Sequence, residues 1–144
     1  MMDRRHPRHP PTRPLVLIVD GHEDTRELYA LALPALGIDV MTADDGVEAY
    51  RRAWESHPDI IVTESALPPR DAWELLRDLK NDPRTRDIPV VVVSADAQQP
   101  VRERAAREGC AVFFGKPCLP EDLAIELQHL LIRQTSDAHA SARH

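Results

Sequence analysis

Short runs of apolar residues recur along the chain, and each is bounded by polar or turn-forming residues. The runs are rich in Val, Ile and Leu and contain little polar alternation. Continuous runs of this kind are typical of strands that are buried on both faces of a parallel sheet. They predict five strands, at residues 15–19, 38–42, 59–63, 90–93 and 111–114.

The segments between these runs carry apolar residues at the three- and four-residue spacing of amphipathic helices. Asp24 or Thr25 is expected to cap the first helix, and Pro34 to kink or end it before Gly37. The residues predicted to share one face are Leu28, Leu31, Ala32 and Ala35 in the first helix, and Val47, Tyr50 and Trp54 in the second. The five predicted helices span residues 24–36, 44–56, 72–80, 98–108 and 119–133.

Strands and helices therefore alternate strictly over residues 15–133. Alternation with doubly buried strands predicts a parallel sheet that is covered by helices on both faces. With right-handed crossovers, the five-stranded form is the doubly wound α/β fold of the flavodoxin type, with strand order 2-1-3-4-5. Residues 1–14 and 134–144 are predicted to be disordered tails on either side of this single domain.

Polar residues stand directly at the ends of four predicted strands. Asp20 and Glu64 follow strands one and three, and Ser94 and Lys116 follow strands four and five. The carboxyl ends of parallel strands meet at one edge of the sheet, where proteins of this fold bind ligands. The sequence therefore predicts a crevice that holds two carboxylates, a hydroxyl and an ammonium group.

Composition narrows the classes of function. The net charge of −6 disfavours a broad nucleic-acid surface, and no apolar run is long enough to span a membrane. The two cysteines, Cys110 and Cys118, match no metal-binding spacing and are expected to be reduced thiols. We therefore expect a cytoplasmic protein that binds neither nucleic acid nor membranes.

Four stretches of the chain resemble the receiver domain of response regulators, the phosphorylation switch of two-component signalling. They are LVLIVD, PDIIVTESALPPRDAWELL, RDIPVVVVSA and GCAVFFGKP. The pairs Ser94-Ala95 and Lys116-Pro117 stand at the positions where the family has such pairs. The resemblance covers residues 15–133 and implies the same fold.

The resemblance also implies a mechanism. In the family, an aspartate after strand three accepts a phosphoryl group from a histidine kinase, and an acidic pair after strand one helps to hold Mg²⁺. A hydroxyl and a lysine then bind the phosphoryl oxygens, and an aromatic residue on strand five turns inward. These roles correspond to Ser94, Lys116 and Phe113, and Pro117 is expected to follow a cis peptide bond. Partners then bind the face formed by helix four, strand five and helix five.

Two positions depart from this pattern. Glu64 stands at the acceptor position, and Gly21 replaces the second acid of the pair. An extra methylene displaces the attacking oxygen by roughly 1 Å, and phosphoryl transfer depends on such positioning. Mg²⁺ needs near-ideal oxygen geometry, so the degenerate set of Asp20, Glu64 and Ala66 is expected to bind it weakly or not at all. We predict an ion pair between Glu64 and Lys116 that imitates part of the phosphorylated state.

The leading hypothesis is a stand-alone pseudo-receiver that is not an enzyme, uses no cofactor and signals by binding a protein partner. The partner is expected to be a histidine kinase or a downstream signalling protein, and homodimerisation through the same face is a further option. Two other functions stay open: a receiver phosphorylated at an unorthodox acceptor or metal site, and a small-ligand sensor in the emptied crevice. The acidic segment 20–24 disfavours a phosphate-bearing ligand. The structural alternative is a decayed pocket that is kept only for packing.

Overall fold

A computed structural model describes the backbone of residues 13–142 and the side chains of residues 13–134. Its central feature is a sheet of five strands: β1 (Leu15–Val19), β2 (Asp39–Ala43), β3 (Ile60–Thr63), β4 (Val90–Ser94) and β5 (Val112–Gly115). All neighbouring strands are parallel, and their order is β2-β1-β3-β4-β5. The predicted doubly wound fold is therefore confirmed. Val19 pairs with Ala43 and Thr63, so the first three strands end level with one another.

Five α-helices alternate with these strands, as predicted. They are α1 (Glu23–Ala32), α2 (Gly46–Ser56), α3 (Ala72–Lys80), α4 (Gln99–Arg107) and α5 (Pro120–Ala142). A 3₁₀ turn at Pro34–Leu36 follows α1, because Pro34 cannot continue the helix, and Gly37 ends the turn with φ of 90°. Between β3 and α3 the chain forms a short antiparallel hairpin of Ala66–Leu67 with Arg70–Asp71.

The last helix is longer than predicted. The backbone of α5 continues to Ala142, whereas the periodicity predicts an end at Arg133 and a disordered tail from residue 134. After Pro120 the helix contains neither Gly nor Pro, so no residue type along it breaks the backbone hydrogen bonding. Residues 1–12, 143 and 144, which belong to the predicted tails, lie outside the described residues. Neither α5 nor another helix in the described part of the chain combines the length and apolar character of a membrane span.

The sheet separates two apolar cores, because successive side chains of a strand point to opposite faces. Leu17 and Val19 of β1 pack on the side of α2, α3 and α4. Val16 and Ile18 pack on the side of α1 and α5. Burial of both faces explains why the three inner strands, β1, β3 and β4, are continuous apolar runs. The strand ends, and the crevice between them, are therefore held by packing from both sides.

The buried face of α1 differs from the predicted one. Tyr29 and Leu33 are buried, whereas Leu28 and Leu31 are 51% and 80% exposed. Leu28 and Tyr29 are adjacent, so the predicted stripe is rotated by about 100° from the real one. Burial of the Tyr29 ring is favourable because its hydroxyl donates a 2.6 Å hydrogen bond to the carbonyl oxygen of Cys118.

The buried face of α2 also differs from the prediction. Its inward residues are small, namely Gly46, Ala49 and Ala53. Of the predicted face, Val47 and Trp54 are exposed, whereas Tyr50 is partly buried against the core. Small residues let the helix lie close to the core, which leaves no room there for large side chains. The size of an apolar residue was therefore a poor guide to its burial in α2.

Candidate functional site

Side chains from four strand ends meet at the carboxyl edge of the sheet. Asp20 follows β1 and Glu64 follows β3, and these residues are only 3% and 5% exposed. Ser94 is the last residue of β4 and is fully buried. Lys116 follows β5, and its peptide bond to Pro117 is cis, as expected. The structure thus brings together the four residues that the sequence places in one crevice.

The amine of Lys116 joins the two carboxylates. Its Nζ lies 2.8 Å from Oε1 of Glu64 and 3.0 Å from Oδ2 of Asp20. Burial by itself would lower the pKa of Lys116, but the hydrogen bonds and charges of Glu64 and Asp20 outweigh burial and raise that pKa. Burial likewise opposes ionisation of Glu64, yet Lys116 and Ser65 outweigh it and lower the pKa of Glu64. Glu64 and Lys116 are therefore charged at neutral pH, and the predicted ion pair is present.

The outer oxygens of the two carboxylates also have hydrogen-bond donors. Oδ1 of Asp20 accepts the backbone N–H of His22 at 2.9 Å and lies 3.0 Å from Nδ1 of its ring. Oε2 of Glu64 accepts the backbone N–H of Ser65 at 2.8 Å and the Ser65 hydroxyl at 3.0 Å. Across the described side chains, no buried nitrogen or oxygen atom lacks a hydrogen-bond partner. Both carboxylates of the crevice are therefore hydrogen-bonded by donors of the chain itself.

This arrangement does not fit the Mg²⁺ site that the resemblance implies. Lys116 Nζ lies between the carboxylates of Asp20 and Glu64, and the outer oxygens face N–H and O–H donors. Gly21 supplies no side-chain oxygen, although Mg²⁺ requires near-ideal octahedral oxygen coordination. The donor set is that of a lysine-bridged carboxylate pair.

Gly21 and His22 connect β1 to α1. His22 is the N-cap of α1, and Asp24 lies within the first turn, so the predicted cap at Asp24 is wrong. The helix begins earlier because the Asp20 carboxylate already holds the His22 N–H at the turn. A Cβ added at Gly21 would lie 3.8 Å from the carbonyl oxygen of Asp44, which is an ordinary contact. The position beside the crevice therefore has room for a Cβ.

Ser65 lies between Glu64 and Ser94 and was not predicted from the sequence. Its Oγ is 3.0 Å from Oε2 of Glu64 and 2.6 Å from Oγ of Ser94. Oγ of Ser94 also accepts the backbone N–H of Asp96 at 3.0 Å. The available signal was a hydroxyl directly after the strand-three acid, where the chain leaves the sheet and its side chains no longer alternate between two cores.

Phe113 is half-buried on β5, at the position of the switch aromatic. The guanidinium of Arg102, from α4, lies 4.8 Å from the centroid of the Phe113 ring. Arg102 Nε also donates a 2.8 Å hydrogen bond to the carbonyl oxygen of Ala97, in the loop between β4 and α4. A Cβ added at Gly115 would lie only 2.8 Å from Cβ of Ala97, so this loop packs tightly on β5. The aromatic position, the loop and α4 are therefore in direct contact.

The fold and the crevice together define a class of protein: small α/β switch domains whose chemistry lies at the carboxyl ends of strands one, three, four and five. The family model for the response regulator receiver domain matches residues 16–128 of this chain. The chain therefore belongs to the response regulator receiver domain family, and the resemblance seen in its motifs is confirmed.

Named relatives agree with this membership. The polar-differentiation response regulator DivK of Brucella ovis is 34% identical over 102 residues, which cover 71% of this chain and 83% of DivK. The receiver domain of the Francisella response regulator 1452 has a TM-score of 0.78 and 25% identity, covering 85% of this chain and 99% of that one. The receiver domain of the sensor histidine kinase PA1611 from Pseudomonas aeruginosa, solved with a magnesium ion in its active-site cleft, has a TM-score of 0.76 and 25% identity, covering 83% and 98%. The chain is thus a receiver domain of the two-component signalling type.

Proposed function

We propose that this receiver domain signals by binding a protein partner without being phosphorylated, as a pseudo-receiver. The observation that carries the proposal is the position of Lys116 Nζ, 2.8 Å from Glu64 and 3.0 Å from Asp20. The resemblance assigns this lysine to the phosphoryl group, and in this chain Lys116 pairs with two carboxylates. Glu64 supplies a permanent charge of about −1, against roughly −1.5 to −2 for a phosphate monoester.

The geometry around Glu64 disfavours phosphoryl transfer. Oε1 faces the Lys116 amine and Oε2 faces the Ser65 donors, and these hydrogen bonds lower the nucleophilicity of both oxygens. The reaction also needs metal ions to neutralise developing charge. With Gly21 in the acidic pair, Mg²⁺ binding is expected to be weak or absent. We infer a binding module rather than an enzyme.

The surface proposed for the partner is the face of α4, β5 and α5. Support comes from the contacts of Arg102 with Phe113 and with Ala97, which connect this face to the loop beside the crevice. A histidine kinase or a downstream signalling protein is the proposed partner, and a second copy of the chain is the alternative. A small-ligand sensor is less well supported, because Lys116 lies between the acids in the crevice that such a ligand would enter.

Intact-mass spectrometry after incubation with acetyl phosphate and Mg²⁺ tests this proposal. The wild-type chain is expected to gain no phosphoryl group. The double variant Gly21→Asp/Glu64→Asp is expected to gain one, because it restores both family acids and the space beside Gly21 accepts a Cβ. Glu64→Asp alone is the matched control, since it restores the acceptor but not the acidic pair.

A phosphoryl group on wild-type Glu64 would refute the proposal. Addition of beryllofluoride and Mg²⁺ gives an independent reading, because beryllofluoride coordinates the acceptor carboxylate without phosphoryl transfer. Chemical-shift changes throughout the crevice in the double variant and none in the wild-type chain are the expected result.

A further inference from the structure

A chain of hydrogen bonds leads from the acid in the crevice to the start of α4. Ser65 Oγ lies 3.0 Å from Oε2 of Glu64 and 2.6 Å from Oγ of Ser94. Ser94 Oγ accepts the backbone N–H of Asp96 at 3.0 Å. The Asp96 carboxylate in turn accepts the N–H of Gln98, the N-cap of α4, at 3.1 Å. The bonds thus connect the crevice to a helix on the proposed partner-binding face.

The two ends of this chain fix its direction. An ionised carboxylate only accepts hydrogen bonds, a backbone N–H only donates, and each serine hydroxyl has one proton to donate. The Asp96 N–H therefore donates to Ser94, and the Ser94 hydroxyl donates to Ser65. The Ser65 hydroxyl then donates to Glu64. Each bond polarises the next, and the bond to the charged acceptor is the strongest.

We propose that Ser65 is a positioning residue that transmits the negative charge of Glu64 to the loop between β4 and α4. This inference rests on the proposed function, because it describes how a permanent carboxylate takes the part of a phosphoryl group. The Ser94 hydroxyl is fully buried and reaches the acid through Ser65. The loop is thereby held in the position in which Ala97 packs against Gly115.

A second connection between Glu64 and β4 runs through Lys116. Its amine contacts Glu64, and its backbone N–H donates a 2.8 Å hydrogen bond to the carbonyl oxygen of Ser94. That backbone bond belongs to the pairing of β4 with β5 and does not end on a charged group. The hydroxyl chain does end on the carboxylate, so it weakens when the charge is removed. Removal of the Ser65 hydroxyl breaks the hydroxyl chain and leaves the connection through Lys116 in place.

Amide hydrogen exchange at Asp96, measured by NMR, tests the role of Ser65. Glu64→Gln and Ser65→Ala are each expected to speed this exchange by about 1.2- to 1.7-fold, because each change removes only the polarisation that the chain adds to the bond between the Asp96 N–H and Ser94, roughly 10–30% of one hydrogen bond. The double variant is expected to exchange no faster than the single variants, because both changes interrupt one chain. Ser65→Thr retains the hydroxyl and is expected to restore the wild-type rate. The amide of Val62, in the centre of β3, serves as the reference for global unfolding.

The inference would be overturned if the acceleration at Asp96 in the double variant equalled the product of the two single accelerations. An unchanged Asp96 exchange rate in Ser65→Ala would overturn it too. Equal acceleration at Asp96 and Val62 would do so too, because it would indicate a purely structural role. If Ser65→Ala does not fold, Glu64→Gln carries the test, because it removes the charged end of the chain and leaves the hydroxyls of Ser65 and Ser94 in place. These outcomes are separate from phosphoryl uptake: an unphosphorylated wild-type chain with multiplied effects would keep the proposed function and lose only the transmission through Ser65.

Discussion

The crevice and the loop between α3 and β4 each contain a buried carboxylate with similar partners. In the loop, Asp82 accepts hydrogen bonds from the Tyr50 hydroxyl at 2.5 Å and from Arg84 Nη2 at 3.0 Å. In the crevice, Glu64 accepts bonds from the Lys116 amine and the Ser65 hydroxyl. The Arg84 and Tyr50 bonds lower the pKa of Asp82, and the pKa of Glu64 is lowered although burial opposes this.

The hydrogen-bond networks of Asp82 and Glu64 differ in the elements of the fold that they connect. Tyr50 belongs to α2, and the guanidinium of Arg84 lies 4.4 Å from the centroid of the Trp54 ring, so the Asp82 network ties a loop to one helix. The Asp82 network lies in the loop that leads into β4, away from the carboxyl edge of the sheet. The Glu64 network stands at that edge and continues through Ser94 to α4. The two networks therefore differ in their place in the fold, and of the two it is the Glu64 network that lies at the edge where proteins of this fold bind ligands.

Replacement of the basic residue in each network is expected to give the largest difference between them in the free energy of unfolding. Lys116→Met leaves the nearly inaccessible acids Asp20 and Glu64 without their shared amine, and is expected to lower the free energy of unfolding by about 3 kcal/mol. The Arg84 side chain is 56% exposed, so water can replace it and Arg84→Met is expected to cost less. Urea unfolding at neutral pH measures both variants. Equal losses would contradict the view that the crevice pair is the more strongly coupled one.

Alanine substitution at two glycines is expected to change the stability of the fold in opposite directions. A methyl at Gly115 would meet Cβ of Ala97 at 2.8 Å, so Gly115→Ala is expected to destabilise the fold by roughly 1–3 kcal/mol. Gly46 lies in the first turn of α2, where a methyl would lie 3.9 Å from Cβ of Leu75 in α3. Gly46→Ala is therefore expected to stabilise the fold by about 0.5–1 kcal/mol. Thermal unfolding of both variants provides the measurement. A neutral Gly115→Ala would show that the loop between β4 and α4 moves away freely.

Acid is expected to weaken the two networks one after the other. Both folded-state pKa values lie below the ordinary ones, 4.5 for Glu64 and 3.8 for Asp82, so each carboxylate stabilises the fold at neutral pH and loses this contribution as the pH falls. The contribution of Glu64 begins to fall near pH 4.5 and that of Asp82 near pH 3.8. Urea midpoints between about pH 6 and 3 measure the loss. Glu64→Gln should flatten the first part of the decline and Asp82→Asn the later part, and an unchanged slope in either variant would contradict the assignment.

The smallest effect is expected from the arginine that covers Phe113. Arg102→Met removes a cation–π contact at a partly exposed site, worth about 0.5–1 kcal/mol of unfolding free energy. In a Phe113→Leu background, the same change is expected to cost less, because only the hydrogen bond of Arg102 to Ala97 is then lost. A double-mutant cycle by urea unfolding measures this coupling. An undiminished loss in that background would mean that Arg102 acts through its bond to Ala97 instead.

Much of the fold follows from the sequence for a simple reason. Strands buried on both faces must be aliphatic at nearly every position, so their runs in the sequence lie within a residue or two of the observed strands. The crevice follows from the same reasoning, because residues after strand ends share one edge of the sheet. This is why Asp20, Glu64, Ser94 and Lys116 could be grouped without a structure.

The helix faces and the hydrogen-bond chain could not be predicted in this way. The burial of Tyr29 depends on an acceptor in Cys118, 89 residues further along the chain. Ser65 and Ser94 are 29 residues apart, and their contact depends on the path of a loop rather than on a periodic pattern. Such contacts are set by tertiary structure, which hydrophobic spacing does not encode.

A crystal structure determined from crystals grown in a magnesium salt tests the central claim most directly. We predict that Lys116 Nζ will remain within hydrogen-bond distance of both Glu64 and Asp20, with no cation between the two carboxylates. A magnesium ion ligated by Asp20 and Glu64, with Lys116 displaced, would contradict the account.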